Sequence, residues 1–197
     1  MWIHLALDVL WIVNGVIFVV LLAATGQWMR VVPTSWEVFP NALSAGLQYL
    51  SLDWPTENAW VNYNALQQLA YFVTVFIAAP LAIASGVRMS HWWKNEWKAA
   101  NKIFPAAVAR KIHFPVMIYF LLFVVIHVVL VLATGVLRNM NNMYAARGDV
   151  DPEMYADNWL GFIIFAVSLA VIAVAWVATK PAVLAPVARK FGEVTAR

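Results

Sequence analysis

His113-Phe-Pro-Val-Met-Ile-Tyr-Phe-Leu-Leu-Phe-Val-Val-Ile-His127 is an unbroken apolar run with an imidazole at each end. Fourteen residues separate the two histidines, so in a helix they stand about 21 Å apart along the axis and within about 40° of one face. A bilayer core is about 30 Å thick, which places one imidazole toward each of its sides. An ionisable group at that depth is costly unless it is paired, and it therefore marks a functional position. The competing reading is a pair of packed histidines, each bonded to a carbonyl of a neighbouring helix.

The rest of the chain fits a membrane setting. Its residues are 63% hydrophobic and 12% charged, far from the averages of soluble domains. Cysteine is absent, which excludes disulfides, iron-sulfur ligation by this chain, covalent c-type haem attachment and thiol chemistry. Any redox centre must hang on histidine or methionine. The net charge of +3 is small and sits in loops, so it gives no case for nucleic acid. Of eleven tryptophans, Trp2, Trp28, Trp60, Trp92, Trp93 and Trp159 fall near expected span ends, as interfacial aromatic belts do.

Four spans are expected, over about 2–26, 65–87, 113–136 and 159–178. Together they predict an all-α integral membrane four-helix bundle, a single domain over 1–197, because helices satisfy their own backbone in lipid. The first span carries His4, Asp8 and Asn14; it lacks the basic start of a signal peptide and its apolar run is longer. A polar connection over 27–62 holds Pro33, Pro40 and Pro55, with a short interfacial helix expected at 41–50 from the spacing of Leu43, Leu47 and Leu50. Tyr63, Asn64, Gln67 and Gln68 form a polar collar before the second span, and Pro80 is expected to kink it. Between spans two and three, Arg88, Lys94, Lys98, Lys102, Arg110 and Lys111 face only Glu96; such a run lies beside anionic headgroups. Asp149, Asp151, Glu153 and Asp157 make the next connection acidic, and Pro181 and Pro186 lead into a basic tail ending at Arg197.

With alternating spans, His4 and His113 share one membrane face and His127 lies toward the other. Neutral imidazole ligating haem iron removes the cost of burial, and bundle cores clamp cofactors between facing helices. His4 and His113 are therefore the candidate axial pair of one haem b. His127 would ligate a second haem whose partner this chain lacks, since His91 stands on the side of His4 and His113. Asn14 and Gly15 are candidates for close packing against a helix or a flat macrocycle. Arg110 and Lys111 are either propionate partners or plain basic flanks. The alternative function is a haem-free transporter or proton relay using the same histidines, for which Asp8 is the available intramembrane carboxylate.

Four pieces carry a family resemblance: Trp-x-His4 with Trp11 and Asn14-Gly15; Tyr63-Asn-x-Leu-Gln-x-x-x-Tyr71 with Pro80, Gly86 and Met89-Ser90; Ala109-Arg-x-Ile-His113-Phe; and His127 followed by Gly135. In order and spacing, over residues 2 to about 140, the chain resembles the cytochrome b561-like membrane cytochrome b subunits of formate dehydrogenase, nickel-iron hydrogenase and thiosulfate reductase, the last type most of all. The resemblance implies a four-helix core holding two bis-histidine haems b. It implies electron transfer between a partner oxidoreductase, of molybdopterin or nickel-iron type, and the quinone pool, in a bacterial inner (cytoplasmic) membrane. Such a subunit is a wire and not a catalyst by itself. By the same resemblance His4 and His113 share one haem and His127 ligates the other, so one or two haems are expected here. Family members usually begin with a further span whose histidine partners His127; this chain opens at what resembles their second span, and a missing first helix is expected. Gln68 stands where the family typically has Lys, and His91 where thiosulfate-type members often have Pro. The positive-inside rule puts the loop over 88–111 in the cytoplasm, whereas the resemblance puts it outside, which is the orientation adopted.

Overall fold

The computed structural model describes residues 2–54, 62–148, 151, 153–180, 185–186 and 189–190, and the regular elements among them are all helical. Pro55, Trp60, Asp149, Pro181 and Arg197, singled out above, lie outside the described residues. The elements are α1 (Trp2–Ala24), a 3-10 turn (Gln27–Arg30), α2 (Val38–Leu50), α3 (Ala65–Phe72), a π turn (Val73–Ala78), α4 (Ala79–Met89), α5 (Lys98–Ile103), α6 (Ala106–Ala133), α7 (Val136–Tyr144) and α8 (Leu160–Ala178). Four rods are long and apolar enough to cross a membrane: α1, the continuous stretch Ala65–Met89, α6 and α8. The protein is an all-α, multi-pass membrane protein. Its chain divides into two compact units, Met1–Leu132 and Ala133–Arg197.

In the first unit the polar collar turns out to be a helix start. Asn64 Oδ1 accepts from the Gln67 backbone N–H at 2.9 Å while Gln67 Oε1 accepts from the Asn64 N–H at 3.1 Å. This reciprocal box satisfies two of the donors that every helix leaves unpaired at its first turn. Asn64 also donates to the Tyr49 hydroxyl at 3.2 Å, tying α3 to α2, whose Val38, Ala42 and Ala45 are buried. Gln68 Nε2 stands 3.4 Å from each of the carbonyl oxygens of Met29, Arg30 and Val32. The second span is thereby anchored beside the chain just past the end of α1.

Three contacts fix the register of the second span on α6. Tyr71 meets Phe123 with ring centroids 6.4 Å apart, Thr74 Oγ1 lies 2.8 Å from the Tyr119 hydroxyl, and Ser85 Oγ lies 2.9 Å from His113 Nδ1. One set of numbers rises as the other falls, so the rods are antiparallel. Because Gln68 sits at the far end of α1, α1 is antiparallel to the second span too, and so runs parallel to α6. Trp11 of α1 meets Phe120 of α6 edge-on at 5.8 Å.

Pro80 has no N–H to give and its ring crowds the preceding turn. The helix accommodates it just upstream, where the Ala79 N–H reaches back five residues to the Thr74 carbonyl in a widened turn of the kind that recurs at functional sites. Thr74 Oγ1 donates to the Ala70 carbonyl at 2.7 Å. Its single proton is thus used, and Tyr119 must donate to it.

Helix α6 begins at Ala106, seven residues before the expected start, which leaves His113 two turns inside the helix. The basic segment ahead of it is folded. Arg88 Nε donates to the Phe104 carbonyl, its guanidinium lies 5.1 Å from the Trp93 ring centre, and Trp93 Nε1 donates to Asn101 Oδ1 at 2.9 Å.

The second unit is a helix pair. Gly135, at φ 117, opens α7 in a conformation that L side chains avoid. Asn141 is fully buried; its amide donates to the Leu137 carbonyl at 2.9 Å and the Asn158 carbonyl at 2.6 Å, and its oxygen accepts from the Gly161 N–H at 3.3 Å. A Cβ at position 161 would run into the Met140 carbonyl and the Asn141 nitrogen, so only glycine lets α8 approach α7 this closely.

Candidate functional site

The site is built where α4 ends against α6. Ser85 is completely buried, and its hydroxyl has one proton to give. The carbonyl of Leu81, 2.6 Å away, takes it. Toward His113, 2.9 Å away, the serine oxygen can then only accept, so Nδ1 of His113 carries the hydrogen. A neutral imidazole protonated at Nδ1 presents a lone pair at Nε2, the arrangement in which histidine binds a metal. Gly86 lies alongside: a Cβ there would sit 3.6 Å from Cε1 of His113, in ordinary contact.

His4 has its own partner. Its Nδ1 stands 3.0 Å from Asp8 Oδ2, one turn along the same helix, and the two side chains are 67% and 43% exposed. A carboxylate can only accept, so Nδ1–H is again the engaged atom and Nε2 the open one. Asp8 is the sole carboxylate within the four spanning rods, where an unpaired charge would be expensive.

The two histidines also match in their spacing from one contact. Each stands seven residues before one member of the Trp11–Phe120 pair, and seven residues are two turns to within about 20°. Measured along its own helix, each imidazole lies about 10 Å on the N-terminal side of that contact. The contacts of His113 are on α4 and those of His4 on α1 itself, and among the described residues no bond joins the two rings.

His127 is placed differently. It stacks on Phe123, 5.7 Å between centroids and 5° between planes, and Phe123 stacks in turn on Tyr119 at 6.1 Å. This aromatic column runs up the face of α6 that meets Tyr71. Among the described residues the His127 ring has no hydrogen-bond partner, and no group of three or more His, Asp or Glu forms that would hold a metal ion. His91 is exposed just past α4, and Arg110 and Lys111 are exposed on α6. Asn14 is exposed, and a Cβ at Gly15 would meet nothing within 4 Å, so no neighbouring helix uses the gap that this glycine leaves.

Ser85 escaped the reading of the sequence. A lone serine in an apolar helix ordinarily bonds its own preceding turn, and its second role depends on a residue 28 positions away. The antiparallel register of two adjacent spans was the signal that pointed to it, since that register sets residues near 85 opposite 113.

What fold and site define is a membrane protein with two imidazoles in its spanning helices, each engaged at Nδ1. No protein-family profile, curated protein or solved structure matches this chain.

Proposed function

We propose that the chain is a haem b electron-transfer subunit of a bacterial inner membrane, passing electrons between a partner oxidoreductase and the quinone pool. The observation that carries this reading is the Ser85–His113 bond, which leaves Nε2 of a half-buried intramembrane imidazole as an unused lone pair. The donor set fits haem iron: His4 and His113 both have Nδ1 engaged, each lies two turns before the ring contact that joins α1 to α6, and the space over Gly15 is open. His4 and His113 would hold the iron between them, and Arg110 and Lys111 near His113 suit the propionates. When bound, haem supplies a site that takes up and releases one electron at a time. The protein orients the ring, excludes water and sets the basicity of the ligands. His127, toward the opposite face, would ligate a second haem whose other ligand is supplied by another subunit. The resemblance to cytochrome b subunits supports the same reading.

The test is a dithionite-reduced minus oxidised spectrum of the purified full chain. A sharp b-type α band is expected, lost in His113→Ala. A haem-free protein whose His113→Ala variant loses proton-coupled transport would establish the transporter reading instead.

A further inference from the structure

We propose that Ser85 and Asp8 are positioning residues that lock His113 and His4 as Nδ1–H tautomers, and that their different chemistry makes the two axial ligands electronically unequal. The inference rests on the haem reading and deepens it, because it assigns roles to two residues that touch neither iron nor substrate.

What the Ser85 hydroxyl adds is a fixed polarity: its proton is committed to the Leu81 carbonyl at 2.6 Å, with Ala82 O a weaker neighbour at 3.2 Å, so the oxygen is an obligate acceptor for His113 at 2.9 Å. With Ser85 wholly buried, the serine end of that bond is shielded from water. Asp8 does the same for His4 with a full negative charge at 3.0 Å. Hydrogen bonds to an ionised acceptor are roughly twice as strong as neutral ones. The carboxylate therefore draws the His4 imidazole further toward imidazolate, and His4 becomes the stronger electron donor of the pair. Stronger donation favours ferric iron and lowers the midpoint potential. Removing either acceptor should raise it, and removing the charged one should raise it more.

The experiment compares the full-length wild type with Ser85→Ala, Ser85→Thr and Asp8→Asn by redox titration, haem titration and low-spin ferric EPR, whose g values report the relative orientation of the imidazole planes. In Ser85→Ala the midpoint rises, the g values shift and haem affinity falls about 10- to 100-fold, the range usual for loss of an outer-shell partner. Ser85→Thr, which keeps the hydroxyl, restores all three. Asp8→Asn gives the larger rise in midpoint, and because Asp8 is half exposed this variant tests the proposal even if Ser85→Ala fails to insert. Wild-type midpoints and g values in haem-loaded Ser85→Ala and Asp8→Asn would overturn the inference while leaving haem binding by His113 intact. So would a Ser85→Thr chain that behaves as Ser85→Ala does. A wild type that binds no haem overturns the functional reading and this inference with it.

Discussion

Ser85 and Asn141 are both polar, both fully buried, and they end their networks in opposite ways. Around Asn141 everything closes. Both amide donors and the carbonyl oxygen are used on the backbone of Leu137, Asn158 and Gly161, so nothing is left to bind anything else. Around Ser85 the chain of bonds runs from the Leu81 carbonyl through the hydroxyl to Nδ1 of His113 and stops at Nε2. A satisfied buried network specifies how helices dock. One that stops at a lone pair is poised for a ligand. Burial alone does not separate the two; the unused lone pair at the end of the Ser85 chain does.

The largest effect that separates the two is on the spectrum. His113→Ala is expected to abolish the b-type α band, whereas Asn141→Ala should leave it unchanged in haem per protein. Loss of the band in both variants would erase the distinction between the two networks.

Stability should respond in reverse. Gly161→Ala forces a methyl group into the Met140 carbonyl and the Asn141 nitrogen; neither is a flexible side-chain end, so the helices must part, at a cost of about 3 kcal/mol. The midpoint of SDS-induced unfolding, followed by tryptophan fluorescence, should fall accordingly with the haem spectrum intact. Asn141→Ala comes next. It leaves the Gly161 N–H and two carbonyls without their partner, which costs about 1–3 kcal/mol. A wild-type unfolding midpoint in either variant would mean that the α7–α8 contact is incidental.

The parts of this molecule that hydropathy controls were legible in the sequence. The four long helices fall within a few residues of expectation at most ends, because lipid forces any long apolar segment to satisfy its own backbone. The misses have a common cause. Helix α6 starts at Ala106 because Ala106–Arg110 is helix-forming by propensity, yet its basic residues read as loop. Helix α7 was hidden in the same way: Arg138, Asn139, Asn141 and Asn142 are polar, and what holds the helix is the fit of Asn141 and Gly161, which composition does not report. The π turn depends on the N–H that Pro80 lacks and on the Ala79 N–H reaching the Thr74 carbonyl, which hydropathy does not report. For the site, His4, His113 and His127 stood out as imidazoles in apolar runs, but Ser85 became visible only when two helices were laid against each other.

The π turn gives the smallest effect and the sharpest check on the one-proton argument used for Ser85. Tyr119 donates to Thr74 Oγ1 at 2.8 Å, with Ala70 O a poor second acceptor at 3.3 Å, because the Thr74 proton is already on Ala70 O at 2.7 Å. Tyr119→Phe then removes one bond and leaves the threonine satisfied, a loss of about 0.6 kcal/mol by the average found for bonds between membrane helices. Thr74→Val removes the nearer acceptor and leaves the phenol hydroxyl only the Ala70 carbonyl at 3.3 Å, a greater loss because a poorly satisfied buried donor costs more than an absent one. In the double variant the two losses should fall short of their sum, since both report one bond. Strict additivity in unfolding midpoints would show that the Tyr119 proton goes elsewhere, and would weaken by the same logic the tautomer assigned to His113.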